Sequence, residues 1–327
     1  MRAAVCHRHG TPDDVEVVDL PSPTPAPNEV VVRVGAASVN FPDVLVIADR
    51  YQVSVPAPFV VGSELAGEVV AVGADVSGVA IGDRVTWTGF SGAFAEEVAL
   101  AASEVRPAPA GVDAAHLAAF GVAHRTGWHA LRDGFGRLRA GDQLVVLGAG
   151  GGVGLATVQL GAHLGATVTA VASSPEKLEA ARACGATNLI DHRVDDVRAA
   201  LQDLVPGGAD VVVDPVGGAL SEVALRRMRW GGRFVVVGFA SGTIPAIPLN
   251  LVLLKGVHVV GFEMRGMAAG RGEEMARDEA ELEQLLVSGA VVPHIGARFP
   301  LDRVVEALRL VGDGQAVGKV VIDVATP

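Results

Sequence analysis

The chain has 327 residues, half of them hydrophobic, and a formal net charge of −11 at pH 7. That length leaves room for two domains with a sizeable core, and the acidic balance argues against a nucleic-acid-binding surface, which needs a basic patch. No apolar run approaches the ~20 residues of a membrane helix. The start, Met1 to His7, lacks a signal-peptide core, so a cytoplasmic protein is expected. Cys6 and Cys184 are too few for a disulfide framework or a structural zinc site.

Up to about Pro109 the chain reads as β-rich, with short runs such as Val30-Val31-Val32-Arg33-Val34 and Gly67 to Gly73 punctuated by Pro and Gly. From Asp113, an expected N-cap, a helix runs through Ala119 and, after a break near Gly121, on to Leu131. Strand and helix then alternate: strand 143–147, a helix from Gly152, strand Thr167–Val171, a helix opened by Ser174-Pro175-Glu176, and strands Asp210–Val213, Arg233–Val237 and Val257–Val260. Continuous Val runs in these strands indicate a parallel sheet covered on both faces. Helices over Glu273–Leu286 and Leu301–Leu310 precede a last strand, Gly318 to Ile322, expected to rejoin the N-terminal domain.

The most telling segment runs from Gln143 to Leu147 and empties into Gly148-Ala149-Gly150-Gly151-Gly152-Val153-Gly154. A buried strand, a glycine turn and a helix start form the cradle of a dinucleotide pyrophosphate, because glycine permits close approach and the helix N-terminus offers free N–H groups. About 20 residues further on, where NAD sites place an acid on the ribose, the chain reads Ala172-Ser173-Ser174-Pro175-Glu176-Lys177. Small hydroxyls and a lysine leave room for a 2′-phosphate, with Lys177 as its ion partner and Ser173 and Ser174 as hydrogen bonders. NADPH is thus favoured, although Glu176 works against it.

Several motifs stand in order: Ser38-Val39-Asn40-Phe41-Pro42-Asp43, Gly62-Ser63-Glu64-Leu65-Ala66-Gly67, Gly82-Asp83-Arg84-Val85, Ala149 to Gly154, Asp214-Pro215-Val216-Gly217-Gly218 and Gly238-Phe239. Together they resemble the zinc-free quinone oxidoreductase (ζ-crystallin-like) branch of the medium-chain dehydrogenase/reductase superfamily, over nearly the full length. The resemblance implies an α/β chain: a GroES-like β-barrel domain (residues 1–120 and 263–327) wrapped around a Rossmann domain (residues 121–262), with NADPH in the cleft between them. It also implies a homodimer joined sheet to sheet, here through Val257–Phe262; the acidic charge and the lack of a long apolar run lead to no expected nucleic-acid or membrane partner.

Zinc alcohol dehydrogenases of this superfamily carry Cys and His where this chain has Asn40 and Ser63, so no metal is expected. Without that Lewis acid the small-molecule acceptor should already be electron-poor, as in a quinone or similar conjugated carbonyl. An activated C=C bond (enone, haloacrylate, acryloyl or enoyl thioester) is the alternative. A structural or RNA-binding crystallin-like role is a third reading, weakened by the acidic charge.

The resemblance assigns Tyr51, the chain's one tyrosine, to the substrate side of the nicotinamide, where its phenol can steady charge on a carbonyl oxygen. It gives Asn40 to the substrate oxygen or the nicotinamide ribose, Thr126 to a nicotinamide contact and His192, beside Arg193, to the adenosine. Gly151 to Gly154, Val216, Gly238, Phe239, Phe262 and Lys319 complete the expected cofactor set. Glu64, Asp83 and Arg84 read as structural charges of the barrel, and Asp214 as holding the loop after its strand.

Overall fold

The apolar run Gln143–Leu147 forms an inner strand of a six-stranded, wholly parallel sheet. The structure, a computed structural model describing residues 1–324, separates into two units: Met1–Val122 with the chain from Ile295 onward, and Ala123–His294. The second unit holds β1 (Gln143–Leu147), β2 (Thr167–Ala172), β3 (Asn188–Asp191), β4 (Ala209–Asp214), β5 (Met228–Val236) and β6 (His258–Gly261). They lie in the order β3-β2-β1-β4-β5-β6. This is the doubly wound Rossmann order, whose reversal between β1 and β4 marks the ligand-binding edge at the strands' carboxyl ends. Leu144 to Leu147 and the whole of β4 are buried, as strands covered on both faces must be. β3, absent from the sequence reading, is only four residues long and mostly half-buried, too short for a periodic signal.

Three expectations change. The helix Ala114–Leu131 is uninterrupted. Gly121 does not break it but makes room: a Cβ there would lie 2.8 Å from Glu64 Oε1, which accepts the Val122 N–H at 2.7 Å. The helix Leu249–Lys255, between the expected strands Arg233–Val237 and Val257–Val260, is an addition to the elements expected. Residues 263–294, assigned from the sequence to the barrel domain, belong to the second unit. Within them Met264–Val287 is helical, broken by a kink at Arg271; the stretch after the kink is the expected helix over Glu273–Leu286. Its acids explain the placement: Glu279 accepts from Arg125 Nε at 2.6 Å, while Arg132 reaches Glu281 at 3.0 Å and Asp278 at 3.4 Å.

The first unit is mainly antiparallel. Strand Glu29–Val39 pairs with Glu64–Val72, Glu97–Ala101 and the last strand, Lys319–Asp323. Val30, Val32, Val34, Leu65, Phe94 and Ile322 share one buried core. The pairing of Val39 with Val320 brings the chain's last strand beside the Asn40 motif, and that juxtaposition builds the polar cluster described below.

Candidate functional site

In the second unit β1 runs into the glycine loop, and the helix Gly152–His163 starts with Gly151 as its N-cap. A Cβ on Gly154 would come 2.1 Å from the Gly148 carbonyl oxygen, so only glycine allows helix and strand end to approach this closely. At Gly151 a Cβ would meet nothing nearer than 3.7 Å, which leaves the loop open beside the helix N-terminus. Those N–H groups and the positive end of the helix dipole suit a pyrophosphate.

The carboxyl ends of β2 and β3 gather Ser173, Ser174, Lys177, His192 and Arg193. Ser174 caps the helix Pro175–Ala183 by accepting the Lys177 N–H at 3.4 Å, and Lys177 Nζ donates to Ser173 Oγ at 3.2 Å. The lysine stem lies across the glycine loop, since a Cβ on Gly150 would fall 2.4 Å from Lys177 Cβ. Burial depresses the Lys177 ammonium below its ordinary pKa, and the positive charge of Arg193 adds to that. Two neighbouring cations with a hydroxyl between strand end and helix start form a corner for a doubly charged anion. His192 is half-buried, its N–H on the Ala172 carbonyl at 3.0 Å.

At the end of β4, Asp214 accepts the N–H groups of Val216 and Gly217, both at 2.8 Å, and the Ser221 hydroxyl at 2.5 Å. It holds its loop. Val216 lies against Gly148, and Gly238 and Phe239 follow β5 at the same edge. Phe239 is 39% exposed, whereas Phe262 is buried, its ring edge-on to Phe135 with centroids 4.9 Å apart. Thr126 is buried on its helix.

In the first unit, Asn40, Glu64 and Lys319 meet. Lys319 Nζ donates to Asn40 Oδ1 at 2.6 Å and to Glu64 Oε2 at 3.0 Å. That same carboxylate oxygen accepts from Ser38 Oγ at 3.0 Å and from Asn40 Nδ2 at 3.1 Å. Ser63 Oγ lies 3.4 Å from Asn40 Nδ2. Glu64, read from the sequence as a structural charge, is therefore the hub of the cluster, and Lys319, expected at the cofactor, is 3% exposed with its ammonium on Asn40 and Glu64. Asn40, 7% exposed, has both ends of its amide engaged inside the unit. Tyr51 is half-buried, its ring 6.2 Å from Phe90, an aromatic neighbour that the sequence reading missed.

Asp43 caps the same turn by accepting the Asn40 N–H at 2.7 Å. Burial pushes its carboxyl group up to about 7, helped by the Glu64 charge and opposed by Ser63, the Asn40 N–H and Lys319. The folded chain thus holds this proton more tightly than the unfolded one, whose ordinary value is 3.8. Asp43's contribution to stability is full below about 3.8 and is lost as pH rises through about 7. Asp43→Asn, which keeps the acceptor for Asn40, should flatten the fall in urea-unfolding stability between pH 5 and pH 8; an unchanged pH profile would contradict this.

Two family models match the chain: the alcohol dehydrogenase GroES-like domain over residues 26–110 and the zinc-binding dehydrogenase over residues 152–282. Quinone oxidoreductase-like protein 2 of Bos taurus is 36% identical over 325 residues, 98% of this chain and 92% of that protein. The Escherichia coli quinone oxidoreductase complexed with NADPH matches with a TM-score of 0.90 at 26% identity, covering 99% of this chain and 100% of that one. A mycobacterial protein complexed with NADPH gives 0.90 at 28% identity, with coverage of 99% and 100%. A GroES-like unit and a Rossmann unit with this glycine loop define a medium-chain dehydrogenase/reductase. Within that class, the chain belongs to the quinone oxidoreductase family. Among the described residues no three His, Cys, Asp or Glu side chains gather as metal ligands, and no helix is long and apolar enough to cross a membrane.

Proposed function

We propose that this protein is an NADPH-dependent reductase of quinones and similar conjugated carbonyls. The open glycine loop, the helix N-terminus and the Lys177–Ser173 corner beside Arg193 fit a dinucleotide with an additional phosphate. When bound, the reduced nicotinamide supplies a hydride equivalent; the protein's task is to orient the reactants and exclude water.

The observation that carries the choice of acceptor is the Asn40–Ser63–Glu64–Lys319 cluster. At the positions where zinc alcohol dehydrogenases place Cys and His, this chain has an amide and a hydroxyl tied to an internal ion pair. Such groups position a turn and shape a polar wall, and an acceptor that draws electrons by itself suits them. Tyr51 donates its phenol proton as a hydrogen bond to the acceptor oxygen as negative charge develops there. One hydride and one proton then convert a quinone to its hydroquinone.

Steady-state NADPH oxidation tests the reading, with 1,4-benzoquinone against a crotonyl thioester. Tyr51→Phe should lower kcat/KM for the quinone about tenfold to a hundredfold, the worth of one hydrogen bond to a charged oxygen, with NADPH affinity unchanged. Turnover of the thioester alone would favour the activated-alkene alternative, and turnover of neither would remove the reductase assignment.

Assembly as a homodimer is part of the same reading. Among the described residues β6 pairs on one side only, with β5. Val259 on it is exposed, as are Trp230 on β5 and Leu249 and Leu253 on the helix before β6. An uncovered edge with apolar flanks suits a second copy related by a two-fold axis. Val259→Asp should halve the mass in sedimentation while NADPH still binds; a wild-type chain that sediments as a monomer would end this proposal.

A further inference from the structure

The second unit carries a polar hollow of about 500 Å³, walled by the turn 132–137 and the helix segment 271–278. Its volume falls in the range of small-molecule sites. The turn leads into β1 at its amino end, while the glycine loop leaves the carboxyl end, so the hollow is separate from the Lys177 corner.

Its charges do not cancel. Each carboxylate on the wall already has a cation: Asp133 takes Arg139 at 2.5 Å, Asp278 takes Arg132 at 3.4 Å, and Glu274 takes Arg271 at 3.5 Å. Arg277 is exposed and makes no ion pair among the described residues. Arg137 donates through Nε to the Asp133 carbonyl at 2.9 Å and likewise meets no carboxylate among the described residues. In a chain of net charge −11, two guanidinium groups on one cavity with no carboxylate at ion-pair distance among the described residues are unexpected.

The backbone is shaped around the same arginines. Arg137 adopts φ +52°, a left-handed conformation that costs a non-glycine residue on the order of 1 kcal/mol or more. At Arg271 (φ −144°, ψ 38°) the helix Met264–Val287 is interrupted. Gly134 leaves the space that Arg271 uses, since a Cβ there would fall 2.3 Å from its Nη1. Backbone strain of this kind persists where the surroundings over-determine it, and such places cluster at ligand clamps.

We infer that this hollow is a second anion site, made for a small molecule bearing two or more phosphate groups. Guanidinium groups match phosphate oxygens as two-pronged donors, and Arg137 and Arg277, with Arg271 between its carboxylate and the hollow, offer such donors to two phosphate groups. The site stands apart from the cofactor's own phosphate corner and from the reductase reading.

Calorimetric titration of pyrophosphate into the full-length protein saturated with NADPH tests it, at about 10 mM ionic strength, where screening is weak. One saturable site is expected. Arg137→Gly, which accepts the left-handed backbone, and Arg277→Gln, on an exposed side chain, should each weaken it at least about threefold and together abolish it. Heat that never saturates overturns the proposal, as does a signal lost in Lys177→Ala, which would place pyrophosphate at the cofactor corner. Citrate binding as tightly as pyrophosphate would overturn the assignment to phosphate.

Discussion

Lys177→Ala should weaken NADPH binding about tenfold to a hundredfold while leaving NADH affinity within about twofold, in parallel fluorescence titrations. The range is the worth of one charge-assisted hydrogen bond, about 1.5–3 kcal/mol. The lysine is prepared for the role by its surroundings: its stem rests on Gly150, its ammonium lies 3.2 Å from Ser173 Oγ, and burial and Arg193 hold its pKa down. A 2′-phosphate, carrying roughly −1.5 to −2 charges, would relieve both the desolvation and the repulsion, and NADH brings no such charge. Arg193→Gln should act in the same direction but less, because Arg193 is exposed and its field is screened. Raising the salt should narrow the preference for NADPH over NADH. Equal losses for the two coenzymes would show that Lys177 serves the helix cap and not the phosphate.

The side-chain corner proposed for the phosphate was legible in the sequence because everything it needs is local. The loop Gly148–Gly154, the cap Ser174 and Lys177 lie within one strand–helix–strand unit and the start of the helix after it, where spacing alone brings them together. The Val runs of β1 and β4 were equally plain, since a strand buried on both faces leaves no other pattern. The first-unit cluster was not legible in the same way. Lys319 reaches Asn40 only through the antiparallel pairing of the chain's last strand with Glu29–Val39, a contact between residues 279 positions apart. Glu64 stood in a quoted motif, but its role as a hub depends on Ser38 with Asn40, on Val122 and on Lys319, arriving from three other segments. The assignment of 263–294 failed for a similar reason. A charged helix reads as solvent-facing, and only Arg125 on the helix Ala114–Leu131 and Arg132 just after it reveal where its acids go.

Glu64→Ala should be the most damaging single change in the first unit, costing about 3–5 kcal/mol in urea unfolding, the usual consequence of stripping one partner from a buried ion pair. Glu64 accepts four hydrogen bonds, from Lys319, Asn40, Ser38 and the Val122 N–H. Without it Lys319, 3% exposed, keeps its charge with only the Asn40 amide oxygen at 2.6 Å to answer it. Lys319→Met should cost less, because the carboxylate retains three donors. The double variant Glu64→Gln, Lys319→Met removes both charges at similar volume and should recover much of the loss, as replaced buried pairs do. The same pair fixes which way the Asn40 amide points, its oxygen toward the ammonium and its nitrogen toward the carboxylate. Lys319→Met should therefore let that amide turn and lower kcat more than it raises the KM for NADPH. If Lys319→Met proved as costly as Glu64→Ala, the carboxylate would not be the hub, and the polar wall would rest on the lysine instead.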